Sequence, residues 1–225
     1  MVTLSQSFQN LEKQTDLRAI ILTGAGDGES SPNTDIAKSA DITSSKVRQE
    51  FQAIYDQITR CTVPVIATVD GLVAGQALEM ILACHLRIAS SNATFRFPEV
   101  RLDSHAGKSA LQRLACEIGN DVALEICRSG KTVIVEEALR MGLINRIAPE
   151  GRLLTEAESL ARLISTMAPL AIRACLEAVT RGVELSLADG LGLETQLFAS
   201  LFATNDVREG TSAFLEKRQP MFKGS

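Results

Sequence analysis

The chain has 225 residues, 45% of them apolar and 22% charged, enough for one domain or two small ones and far from the composition of a disordered chain. Lys and Arg total 23 against 27 Asp and Glu, a net charge of −4, so nothing pulls the chain onto nucleic acid or an anionic membrane surface. The longest apolar stretch, residues 74–84, holds Gln76 and Glu79 and is too short and too polar to span a bilayer.

In chain order, residues 1–9 lack a basic segment followed by an apolar one, so no signal peptide is expected. Residues 18–22 (RAIIL) form a short β-type run, closed by Thr23-Gly24-Ala25-Gly26. A polar Ser/Asn/Asp/Gly-rich segment, residues 26–45, reads as a long surface loop of the kind that carries function. Val47, Phe51, Ile54, Tyr55 and Ile58 then recur at helical spacing over residues 47–60. Residues 64–69 (PVIATV) predict a second strand, ended by Asp70-Gly71, and residues 75–84 a largely buried helix. Two further strands are expected at residues 86–89 and 93–97, the second stopped by Pro98. Helices are predicted at residues 109–118, 121–129 and 135–141, the last with Gly142 at its C-terminus, followed by a strand at residues 143–147. Beyond Pro149 the pattern is all-helical, over residues 153–167, 169–181, 185–203 and 206–218. This is an α/β body, residues 1–148, with a helical region, residues 149–225.

Candidate chemistry centres on Glu79. A carboxylate among apolar helix neighbours costs several kcal/mol unless it is paired, hydrogen-bonded or neutral, and such groups make acid/base catalysts. The alternative is a structural ion pair or a solvated stripe. Glu99, after Pro98 at a strand end, is by itself an ordinary surface residue; paired with Glu79 it could hold a water, one carboxyl taking a proton and the other giving one. Gly75-Gln76 opens the buried helix, where backbone N–H groups lack internal partners and can bind an oxyanion; a tight turn that needs glycine explains Gly75 equally well. His85 and His105 have no partner motif, and two histidines leave little for a zinc site. Five cysteines (Cys61, Cys84, Cys116, Cys127, Cys175) without CxxC spacing read as reduced thiols, and the expected location is cytoplasmic. There is no GxSxG elbow and no phosphate loop.

The motifs RAIILTGAG (18–26), PVIATVDG (64–71), AGQALEMILACHLRIAS (74–90), ATFRFPEVRL (93–102), EEALRMGLINRI (136–147) and EGTSAFLEKRQPMFKG (209–224) resemble, in order and spacing, the crotonase superfamily of enoyl-CoA hydratases and isomerases. The resemblance implies an α/β, ClpP/crotonase-like spiral of ββα units with a C-terminal helical trimerisation region, assembled as a homotrimer or a dimer of trimers. It implies an acyl-CoA thioester as substrate and neither metal nor redox cofactor, coenzyme A being part of the substrate. By position, Glu79 and Glu99 are the hydratase's two glutamates. Their separation of 20 residues also fits hydratases (99 − 79). The resemblance places the oxyanion hole at the backbone N–H groups of Thr34 and Gln76. It implies that Thr34, Asp35, Ile36, Ala37, Gly75 and Gln76 line the thioester path. The sequence departs from the family pattern where Gly-Gly-Gly is replaced by Gly75-Gln76-Ala77, where Ala-Gly-Ala-Asp is replaced by Pro32-Asn33-Thr34-Asp35, and where Asp103, His105 and Lys108 stand near the acyl pocket. The family's first strand pair is expected to be missing. These departures leave open a catalytically weak acyl-CoA-binding or protein-interaction scaffold, an enoyl-CoA isomerase, or an acyl-CoA thioester hydrolase.

Overall fold

The structure, a computed structural model, describes residues 2–24, 45–97 and 110–225. The first helix, α1 (Val2–Glu12), precedes β1 (Ile20–Leu22) and α2 (Ser45–Thr59). Next come β2 (Val65–Val69), β3 (Leu72–Ala74) and α3 (Gly75–Ala83), then β4 (Leu86–Ser90), β5 (Thr94–Arg96) and α4 (Ala110–Ile118). The same strand–strand–helix order thus occurs twice in succession. After α5 (Asn120–Ser129), β6 (Val133–Ile134), α6 (Val135–Arg140) and β7 (Arg146–Ala148), the chain continues as α7 (Leu153–Ser165), α8 (Pro169–Gly182), α9 (Leu187–Leu201) and α10 (Asn205–Glu216).

The first strand of each unit enters one sheet and the second enters another. The larger sheet runs β1-β2-β4-β7 and is parallel throughout. The smaller runs β3-β5-β6, with β3 parallel and β6 antiparallel to β5. The chain passes from one sheet to the other at Gly71, whose φ of 64° lies in the left-handed region that a side chain disfavours. Ser90 Oγ donates to Asp70 Oδ1 at 2.6 Å, tying the ends of β2 and β4 together at that crossing.

All five residues of β2 are buried, as expected of a parallel strand covered on both faces. One face packs into the main core with α2, α3, α4 and α5, through Ile58, Leu78, Leu114 and Ile126. On the other face Ile66, Ile88 and Ala148 meet Ala157 and Leu160 of α7. The predicted strand at residues 143–147 is displaced: Leu143 and Ile144 are fully buried in the turn after α6, and pairing with β4 begins only at Arg146. The strands β3 and β6, three and two residues long, have no counterpart among the predicted elements. Neither α8 nor α9 has a buried residue. No single helix among the described residues is long and apolar enough to cross a membrane.

Candidate active site

The hinge between β3 and α3 is built from backbone. Ala74 is extended, at φ −148°, and Gly75 turns the chain into the helix at φ 54°. An L-side chain at Gly75 would be strained at that angle. Ala74 makes no side-chain cap to α3; the first N–H groups of a helix have no partner within it and lie at the positive end of its dipole, where an anion or water can bind.

Leu78, Ile81, Leu82 and Ala83 form the buried face of α3 and fasten it to the core. Each such side chain contributes about 1.5–3 kcal/mol through burial. Gln76 and Glu79 fall outside that set. They are half-buried and three residues apart, which puts them on one helix face with Cβ atoms about 5–6 Å apart.

Facing them is Tyr55 of α2, which is 1% exposed. Its hydroxyl donates to the Gln76 carbonyl at 3.1 Å. Burial, reinforced by the Glu79 carboxylate, raises the Tyr55 pKa and keeps the phenol protonated. A carboxyl group, a helix N-terminus without a side-chain cap from its N-cap residue and a buried phenol therefore share one corner. The arrangement can hold a negative oxygen at the helix end while Glu79, one turn further on, exchanges a proton.

Of the predicted site residues, Gly75, Gln76 and Glu79 are brought together here. Thr34, Asp35, Ile36, Ala37 and Glu99 lie outside the described residues, as do Pro32, Asn33, Asp103, His105 and Lys108.

A sequence model described as enoyl-CoA hydratase/isomerase matches residues 1–225. The chain belongs to the enoyl-CoA hydratase/isomerase family. It is 37% identical over 223 residues to the "Probable enoyl-CoA hydratase echA8" of Mycobacterium tuberculosis, covering 99% of this chain and 86% of that one. It is 34% identical over 225 residues to the (E)-benzylidenesuccinyl-CoA hydratase of Thauera aromatica, covering 99% and 88%. The fold matches the crystal structure of an enoyl-CoA hydratase from Bacillus anthracis with a TM-score of 0.93 at 31% identity, covering 99% of this chain and 88% of that one. The architecture is therefore the crotonase fold, and the resemblance read from the motifs is shown over the whole chain.

In this family member α3 is held at its C-terminal end by Arg87, a residue that sequence reasoning passed over. Arg87 is 2% exposed. Its Nε donates to Leu143 O at 2.7 Å, and Nη1 donates to Cys84 O at 2.9 Å and Ile81 O at 3.4 Å. Its Nη2 pairs with Glu117 of α4 at 2.6 Å. A cation on the last carbonyls of a helix satisfies groups that the helix ladder leaves open. The signal in sequence was an arginine inside an otherwise apolar strand run.

His85 is structural in this arrangement. Its Nδ1 accepts the Val65 N–H at 3.0 Å, locking the start of β2 to the turn before β4. Burial lowers its pKa against a weaker opposing pull from the Thr59 carbonyl. Burial also pushes the Cys84 thiol up to about 12, so this cysteine is a poor nucleophile at neutral pH. All five cysteines are free thiols.

Tyr55 was the second omission. Within its helix it counted only as one more apolar position. It is also the single tyrosine of the chain, and a buried phenol needs a hydrogen-bond partner.

Proposed function

We propose that this protein hydrates the double bond of a 2-enoyl-CoA thioester. The observation that carries the reading is the shared face of α3, where half-buried Glu79 stands one turn from the helix N-terminus at Gly75-Gln76, in a chain of the enoyl-CoA hydratase/isomerase family. The hydratase names of its relatives support it.

In this reading Glu79 and Glu99 hold one water between them. One carboxylate takes a proton as the water oxygen bonds to Cβ, and the proton delivered to Cα completes the addition. The enolate oxygen that develops between these events is held by the N–H groups of Thr34 and Gln76, with Asp35, Ile36 and Ala37 along the thioester path. A general acid/base contributes about 10²–10⁴ in rate, and one oxyanion donor about 10²–10³. No cofactor beyond the coenzyme A of the substrate is invoked. The same reading takes residues 1–148 as the core and residues 149–225 as an assembly region. Val183, Leu187 and Phe214 are 74%, 81% and 83% exposed, the kind of surface that a second copy covers in a homotrimer or a dimer of trimers.

The test is hydration of crotonyl-CoA, followed as loss of the conjugated-thioester absorbance, with Glu79→Gln and Glu99→Gln beside the wild type. Both variants should lose at least 10²-fold in kcat. Full activity in Glu79→Gln would overturn the proposal. Retention of double-bond migration in Glu99→Gln alone would point to an isomerase. Coenzyme A binding without turnover, on short and long enoyl-CoA alike, would favour a scaffold, a reading that the Gln76 and Ala77 side chains at the helix entrance support.

A further inference from the structure

A carbonyl oxygen only accepts, so in the 3.1 Å contact between Tyr55 and Gln76 the phenol must donate its proton. A helix carbonyl has two lone pairs, and one is left after the helix ladder is satisfied. Gln76 is therefore restrained on both sides. Gly75, at φ 54°, sets the peptide that carries the Gln76 N–H. Tyr55 fixes the peptide that follows.

The tyrosine is itself braced. Thr59 Oγ1 donates to the Tyr55 carbonyl at 2.9 Å, and Arg113 Nη1 donates to Thr59 Oγ1 at 2.8 Å. Arg113, from α4, also approaches Asp56 at 3.6 Å, and Gln52 Nε2 donates to Asp56 at 2.8 Å. The network runs from α4 through α2 to the first turn of α3. A packing role alone calls for a buried ring, which phenylalanine would supply. The hydroxyl adds one hydrogen bond, and the group it holds is the first residue after the hinge.

We propose that Tyr55 is a positioning residue, whose hydrogen bond to the Gln76 carbonyl aims the Gln76 N–H at the enolate oxygen and fixes its spacing from Glu79. This rests on reading the Gln76 N–H as an oxyanion donor. Tyr55 touches no reacting atom and acts through the backbone of α3.

The test is Tyr55→Phe, which removes one oxygen from a buried ring. Two quantities are read: kcat and KM on crotonyl-CoA, and the enolate fraction of bound acetoacetyl-CoA, taken from its ultraviolet absorbance. The enolate carries its charge on the same thioester-side oxygen system and needs no turnover. We expect kcat to fall roughly tenfold with KM within about twofold, and the enolate fraction to fall in parallel. A folded Tyr55→Phe with kcat within twofold and an unchanged enolate fraction overturns the proposal. So does a wild type that stabilises no enolate. Absence of hydration by the wild type would sink the hydratase reading alone, because the enolate comparison still decides the role of Tyr55. Should Tyr55→Phe fail to fold, growth on 3-fluorotyrosine labels position 55 alone, since the chain has a single tyrosine. Its ¹⁹F resonance should shift when the enolate binds, and a resonance that does not move overturns the proposal.

Discussion

Replacing Arg87 by methionine removes a guanidinium that serves three backbone carbonyls and one carboxylate. Methionine retains most of the side-chain volume, so the loss is polar and not a cavity. Truncating one partner of a buried ion pair costs about 3–5 kcal/mol, most of it from stranding the groups left behind. Glu117 is 35% exposed and can rehydrate, which places the expected loss near the lower end, about 3–4 kcal/mol. Against a total of about 5–15 kcal/mol for an ordinary domain, this is a large fraction. With a urea dependence of about 2 kcal/mol/M, the unfolding midpoint should fall by about 1.5–2 M. The assay is urea unfolding at one fixed protein concentration, because self-association would shift the midpoint by mass action. Glu117→Gln should cost less. The double variant should be less destabilised than the sum of the two, by about 1–2 kcal/mol, because the carboxylate and the cation share their interaction. A midpoint shift below about 0.5 M for Arg87→Met at an unchanged slope would refute the reasoning, since it would mean that the carbonyls find water or new partners at little cost.

Two further outcomes follow from the same kind of accounting. Burial lowers the His85 pKa below the usual value of about 6.5, so its contribution to stability is complete above that pH and is lost as pH falls through it toward the folded-state value. Urea midpoints at pH 7.5 and 5.5 should therefore differ more for the wild type than for His85→Gln; coincident differences would count against the buried neutral imidazole. Asp206, 4% exposed, accepts the Lys223 N–H on one oxygen and the Gly224 N–H on the other, both at 2.8 Å. In Asp206→Asn the amide nitrogen must face a donor, costing about 1–3 kcal/mol locally, and residues 221–225 should exchange amide hydrogen faster while the rest of the chain does not. Equal exchange at those amides would refute the clamp.

The longer helices are legible from an apolar stripe at helical spacing, and the six-residue α6 from Gly142 at its C-terminus. The helix at residues 75–84 was read to within one residue of α3, since Leu78, Ile81 and Leu82 recur at helical spacing and the Gly75 turn punctuates its start. Strands β1, β2, β4 and β5 are legible as short runs bounded by glycine, turn residues or proline, β2 most plainly because all five of its residues are buried. By contrast β3 and β6, at three and two residues, are too short to show an alternation, and exist because β5 offers each a pairing edge. The strand expected at residues 143–147 slipped for a related reason: Leu143 and Ile144 are apolar because they fill the core from a turn, and apolarity alone does not distinguish a buried turn from a strand.

Gly75, Gln76 and Glu79 needed no tertiary information, because their spacing on one helix puts them on one face. The family also was readable, since the motifs lie in a fixed order along the chain, a one-dimensional property. Tyr55 and Gln76 are 21 positions apart, and Arg87 and Glu117 are 30 apart. Neither pair shares a local pattern, because side-chain hydrogen bonds between elements leave no periodic trace. Only the tertiary fold, which sets α2 against α3 and Glu117 of α4 beside Arg87 of β4, brings each donor to its acceptor. That packing decides which of the polar residues in an apolar sequence hold the helix and which are left facing the site.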